Sequence, residues 1–132
     1  PPPLSFMRGR HALVQSIDMA PTLLRYAGVE PGPYIDGRPL QPIIADAGAP
    51  WRNEVFIEYF SDTVFPRVYK MGYQAVRTDR YKYIHYLDLE GMDEFYDLQD
   101  DPYEMVNKAS DPSSAAALND MKKRLETLGA GR

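Results

Sequence analysis

The spacing of apolar positions changes along the 132-residue chain, and each change marks an element. "HALVQSI" (His11–Ile17) is a short apolar run that predicts a strand. "DMAPTLLRYAG" follows with the spacing of a helix. Asp18 is placed to cap it, Pro21 falls in the first turn, and Gly28 suits the position just past the end. Met19, Leu23 and Tyr26 or Ala27 form its apolar stripe. Val29 to Pro42 is rich in Pro and Gly and reads as a loop. A helical turn around Leu40–Ala45 and the breaker "DAGAP" come after it.

The period then becomes two. "NEVFIEYF" (Asn53–Phe60), "YQAVRT" (Tyr73–Thr78), "YKYIHYL" (Tyr81–Leu87) and "DEFYDL" (Asp93–Leu98) are rich in β-branched and aromatic residues. Asp79-Arg80 is a turn short enough to make the middle pair a hairpin, and Gly91 marks the next turn. In "YKYIHY", Tyr81, Tyr83 and His85 share one face, and Lys82, Ile84 and Tyr86 share the other, so neither face is wholly polar. The chain closes with a helical period. Asp111 caps, Pro112 takes the first position, and Leu118, Met121, Leu125 and Leu128 form one stripe. These elements predict an α+β fold. A small antiparallel sheet of about three or four strands packs against a C-terminal helix, preceded by a strand and a helix.

Composition narrows the function. Fifteen basic against nineteen acidic residues leave a net charge of −4, which gives no reason to expect a nucleic-acid partner. No apolar run has the length of a membrane span. Cysteine is absent, which removes disulfides, thiolate metal sites and a cysteine nucleophile from this chain. Pro1-Pro2-Pro3 carries neither an initiator Met nor a signal pattern, so the chain reads as a processed product or a piece of something longer.

The residues themselves offer little chemistry. Asp88, Glu90, Asp93, Glu94, Asp97, Asp100 and Asp101 are acidic enough to suggest calcium, yet "DLEGMDEFYDL" lacks the alternating ligand order of an EF-hand loop. The two histidines, His11 and His85, stand far apart, which argues against zinc. There is no G-x-S-x-G and no phosphate-cradling glycine loop. The expectation is therefore no catalytic residue and no metal ligand in this chain.

A resemblance adds what the residues alone do not. "VQSIDMAPTLLRYAGVEPGPYIDGRPLQPII" resembles the stretch in which type I sulfatases close their large α/β domain. "WRNEVFIEYF" is similar to the start of their small C-terminal domain. "YQAVRTDRYKYIHYL" followed by "EFYDLQDDPYEMVNKASDP" resembles the strand, hairpin and acidic turn before their closing helix. The tyrosine-rich hairpin looks closest to glucosamine-6-sulfatase-like members, and phosphonate monoester hydrolases of the same alkaline-phosphatase superfamily end comparably.

The resemblance implies residues 1–50 as the tail of the large α/β domain with a Pro/Gly-rich linker, and 51–132 as the small α+β subdomain. For the parent enzyme it implies sulfate-ester hydrolysis with a formylglycine nucleophile and calcium. It also implies a sulfated-sugar or aryl-sulfate substrate and a periplasmic or secreted location. Formylglycine arises in a Cys/Ser-x-Pro-x-Arg motif. The nearest match here, Ser110-Asp111-Pro112-Ser113-Ser114, has Ser in place of Arg and begins a helix cap. The chain is then a non-catalytic C-terminal fragment whose partner is the missing N-terminal sulfatase domain.

In the family, loops of the small domain border the substrate pocket. The loop before the hairpin, Phe65–Tyr73, makes Tyr73, Lys70 and Arg67 the candidate substrate-binding residues. Tyr73 stands near a position where some relatives carry a sugar-contacting His, while Lys70 and Arg67 would attract an anion. Two alternatives remain: an autonomous α+β interaction module with the prolines as a linker, and the same region of a phosphonate or phosphate ester hydrolase. If the strand and helix of residues 11–28 lack their parent domain, their apolar faces would find cover by folding back or by pairing two copies along Ala12–Ser16 as a homodimer.

Overall fold

The computed structural model describes residues 11–60 and 65–130; the triple-proline start lies outside them. They form two compact units that meet between Asn53 and Glu54.

The first unit holds a 3-10 turn at Ser16–Asp18, α1 (Met19–Tyr26) and α2 (Gln41–Ala45). The strand expected over His11–Ile17 is not formed: residues 11–15 are irregular and the turn follows directly. The polar groups that a ladder would use are already engaged. Leu13 O accepts Trp51 Nε1–H at 2.8 Å, Gln15 N–H donates to Asp18 Oδ2 at 2.8 Å, and Gln15 O accepts Asp18 N–H at 3.0 Å. The strand edge along Ala12–Ser16 that was to join two copies is therefore absent.

Asp18 also departs from expectation. Its side chain makes no cap bond to α1. It is fully buried and accepts Arg38 N–H at 2.8 Å as well as Gln15 N–H. Both guanidinium nitrogens of Arg52 reach it, at 2.7 and 2.8 Å. Burial pushes this carboxyl up, but the Arg52 bonds and the two backbone N–H groups outweigh it and hold Asp18 below its ordinary range.

Thr22 pins the following loop: its hydroxyl donates to Asp18 O at 2.6 Å and accepts Leu40 N–H at 2.9 Å. Gly37 lies so close that a Cβ there would stand 2.0 Å from Ile17 O, so no larger residue fits. Gly28, at φ 74°, ends α1 as expected, with Val29 N–H closing back on Leu24 O at 2.9 Å. Val14, Ile17, Met19, Leu23 and Tyr26 are all exposed.

The second unit is a sheet of β1 (Glu54–Tyr59), β2 (Tyr73–Thr78), β3 (Tyr81–Tyr86) and β4 (Glu94–Asp97), antiparallel and in sequence order, followed by α3 (Ala115–Gly129). The α+β reading of sheet and closing helix holds. Leu118, Met121 and Leu125 bury the predicted stripe against Phe56, Val76, Tyr83 and Phe95, with Leu128 partly buried beside them. Asp111 caps as expected, accepting Ser113 N–H at 2.9 Å, although the first turn, Pro112–Ser114, is 3-10. The outer edge of β4 is covered by the chain that follows it. Phe95 N–H donates to Asn107 Oδ1, and Phe95 O accepts Lys108 N–H.

Candidate functional site

The register aligns Tyr59, Tyr73 and Tyr86 across three strands at one end of the sheet. The Tyr59 and Tyr73 rings stack with centroids 5.7 Å apart, and Tyr86 meets Tyr73 edge-on at 6.0 Å. Tyr86 is fixed in turn: its hydroxyl donates to Glu94 Oε1 at 2.9 Å, and Tyr96 donates to Oε2 of the same carboxylate at 2.6 Å. Burial, and then the hydrogen bond to Glu94 and its charge, push the Tyr86 phenol up to about 12, so it stays a neutral donor across the biological range.

Beside this ladder runs the loop that joins β1 to β2, described from Phe65 onward. Pro66–Val68 forms a 3-10 turn in which Val68 N–H closes on Phe65 O at 3.0 Å. The turn and Tyr59 border an open surface depression of about 430 Å³, and Tyr59, Phe65, Pro66, Arg67 and Val68 are among the residues that line it. That volume lies within the range of small-molecule sites, roughly 300–1,000 Å³. Lys70 follows at φ 59°, a left-handed conformation uncommon for a residue with a side chain, and its ammonium lies 5.7 Å from the Tyr69 ring centroid.

The three sequence candidates are thus neighbours with different positions. Arg67 lines the cavity, Tyr73 backs its Tyr59 wall, and Lys70 is an exposed loop residue. Tyr59, Phe65 and Val68 escaped the sequence reading. Tyr59 could have been found only from the β1–β2 register, which a long loop hides.

The acidic residues of the hairpin and following turn have other tasks. Asp93 accepts Tyr83 OH at 2.5 Å and lies 2.9 Å from His85 Nδ1. Asp97 pairs with Arg80 at 2.9 Å, and Asp101 accepts Val106 N–H at 2.8 Å. Among the described residues no group of three or more His, Asp or Glu could hold a metal ion. Ser110–Ser114, the nearest stretch to a Cys/Ser-x-Pro-x-Arg motif, has Ser114 where that motif has Arg, and Asp111 and Ser113 are used in the cap of the closing helix.

Comparison with known proteins agrees with this architecture. A family model described as "N-sulphoglucosamine sulphohydrolase, C-terminal" matches residues 2–130. The chain is 34% identical over 121 residues to a multifunctional alkaline phosphatase superfamily protein, PehA, of Trinickia caryophylli, covering 83% of this chain and 23% of that protein. It is 30% identical over 119 residues to an N-acetylglucosamine-6-O-sulfatase of Bacteroides thetaiotaomicron, covering 87% and 21%. The crystal structure of a phosphonate monoester hydrolase of Agrobacterium radiobacter superposes with a TM-score of 0.68 at 30% identity, covering 86% and 24%. The chain spans about a quarter of the length of each of these. With a match running over nearly all of its residues and the sheet and closing helix in common, the chain belongs to the N-sulphoglucosamine sulphohydrolase C-terminal family, the C-terminal region found in sulfatases and related enzymes of the alkaline phosphatase superfamily.

Proposed function

We propose that this chain is the non-catalytic C-terminal portion of a sulfuric ester hydrolase, and that its 65–73 loop shapes the substrate pocket beside the parent's active site. The observation that carries this reading is the depression at the loop, where apolar and aromatic side chains meet the guanidinium of Arg67. A guanidinium holds an anionic ester through paired N–H donors, and an aromatic wall suits a ring. Lys70 adds a second cation within reach of the same anion's field. Among the described residues that line it, Arg67 is the charged one, which suits binding of an anion. Calcium and the formylglycine nucleophile belong to the preceding portion of the parent, as does the large α/β domain. Residues 1–50 complete that domain, and the exposed stripe of Ile17, Met19 and Leu23 is where the covering residues dock.

The second reading is a phosphonate or phosphate monoester hydrolase, favoured by the likeness to a phosphonate monoester hydrolase. Steady-state kinetics of the full-length polypeptide test both. Turnover of a sulfate ester well above that of the matching phosphonate supports the first, and the reverse supports the second. In either case Arg67→Gln or Lys70→Ala should raise KM more than it lowers kcat. An unaltered KM in both variants contradicts the loop's role.

A further inference from the structure

We infer that Glu94 is a positioning residue for the 65–73 loop: through the Tyr86 hydroxyl it fixes the ring of Tyr73, at the point where the loop enters β2. This rests on the reading of that loop as substrate-facing, and it places one control of the loop on β4, which is separated from β2 by β3.

The strand register makes the connection. Ile84 of β3 stands opposite Glu94 of β4, so Tyr86, two residues further along the same face of β3, is the diagonal neighbour of Glu94. Tyr96 lies on the other side of Glu94, two residues along β4 and on the same face. The carboxylate therefore stands between two phenols and takes one on each oxygen, Tyr86 at 2.9 Å on Oε1 and Tyr96 at 2.6 Å on Oε2. A phenol hydroxyl sits at the far end of its ring, so a bond made there sets the direction of the ring. A carboxylate acceptor makes such a bond short and strong.

From Tyr86 the constraint reaches the loop by two routes. Through side chains, the Tyr86 ring meets Tyr73 edge-on at 6.0 Å, and Tyr73 stacks on Tyr59 at 5.7 Å. Tyr59 borders the depression that Arg67 also lines. Through the backbone, Leu87, the residue after Tyr86, donates its N–H to Gly72 O at 2.9 Å. Before Gly72 the loop is a run of tight turns, with Val68 N–H closing on Phe65 O at 3.0 Å and Met71 N–H on Val68 O at 3.1 Å. Its end is thus held at two consecutive residues, Gly72 and Tyr73, by two consecutive residues of the other strand, Leu87 and Tyr86. Released from Glu94, the Tyr86 ring is free to leave Tyr73, and the stack of Tyr73 on Tyr59 loses the neighbour that keeps it in place. Glu94 acts on the loop through Tyr86, so a change there alters how well the loop is prepared for a ligand.

The test is the kcat and KM of the full-length enzyme on its sulfate ester, with the 132-residue chain followed in parallel by NMR. Glu94→Ala should raise KM about threefold with kcat within about twofold, the size expected when one bond that holds a binding element in place is lost. Glu94→Gln should return KM to near wild type, because its amide oxygen still accepts from Tyr86 and its amide nitrogen donates to the Tyr96 oxygen. Leu125→Ala loosens the opposite face of the sheet and should leave KM unchanged. In the NMR spectrum the Tyr73 ring resonances should move in Glu94→Ala and return in Glu94→Gln. Unmoved Tyr73 resonances in Glu94→Ala, or an equal rise of KM in Glu94→Gln or Leu125→Ala, overturns the positioning role. So does a wild-type KM in Glu94→Ala while Arg67→Gln raises it, a result that leaves the substrate-facing reading standing. If neither Arg67→Gln nor Lys70→Ala raises KM, the substrate-facing reading itself fails, and the positioning role falls with it.

Discussion

Asp18 is the residue on which the first unit turns. It is a buried carboxylate with two backbone donors and a guanidinium, and none of them is replaceable by water at a site with no exposure. Asp18→Asn should cost about 3–5 kcal/mol, because it strands the buried Arg52 charge. Chemical denaturation of wild type and variant measures it. The pair also gives the unit a pH dependence. Folded Asp18 binds its proton less tightly than the unfolded chain, where the ordinary value is 3.8. Its stabilisation is complete above that value and is lost as pH falls through the lower folded one. Asp18→Asn should flatten this acid limb of the stability curve; an unchanged limb would place the acid sensitivity elsewhere. The sequence showed Asp18 ahead of a helix and suggested a cap. Its partners Arg38 and Arg52 lie 20 and 34 residues further on, and no local pattern encodes that meeting.

At the level of elements, what is locally periodic was legible. The stripe of α3 and the β-forming runs of β2 and β3 were readable locally, and all three elements are present, although each strand buries two consecutive residues, Ala75 and Val76 in β2 and Tyr83 and Ile84 in β3. Leu125 is buried against the sheet, so Leu125→Ala should lower stability by about 2–5 kcal/mol, read as a shifted denaturation midpoint. A midpoint within error of wild type would mean that α3 is not docked there. His11–Ile17 failed because an apolar run says nothing about whether a neighbouring strand exists. Leu13 and Gln15 instead bond to Trp51 and Asp18. The cavity was half legible. The loop and Arg67 were found, but Tyr59 and Phe65 were not, since their meeting depends on a register that pairs Tyr59 with Tyr73 across the intervening loop. Tyr83 and His85 show the same limit: their shared face was readable, and their shared partner Asp93 was not.

The chain spans about a quarter of the length of its relatives, and the role proposed for it is that of a supporting part. The isolated chain should not turn over an aryl sulfate with calcium supplied; activity that survives repurification and exceeds a heat-treated control would contradict this. The central claim is that the 65–73 loop contributes binding to a pocket whose reacting groups lie elsewhere in the parent. The most direct measurement is the kcat and KM of the full-length enzyme carrying Arg67→Gln, on its sulfate ester. Loss of a charged hydrogen bond to the anion predicts a KM about tenfold higher, with kcat changed by less than about threefold. A KM equal to that of wild type, or a loss confined to kcat, would contradict the account.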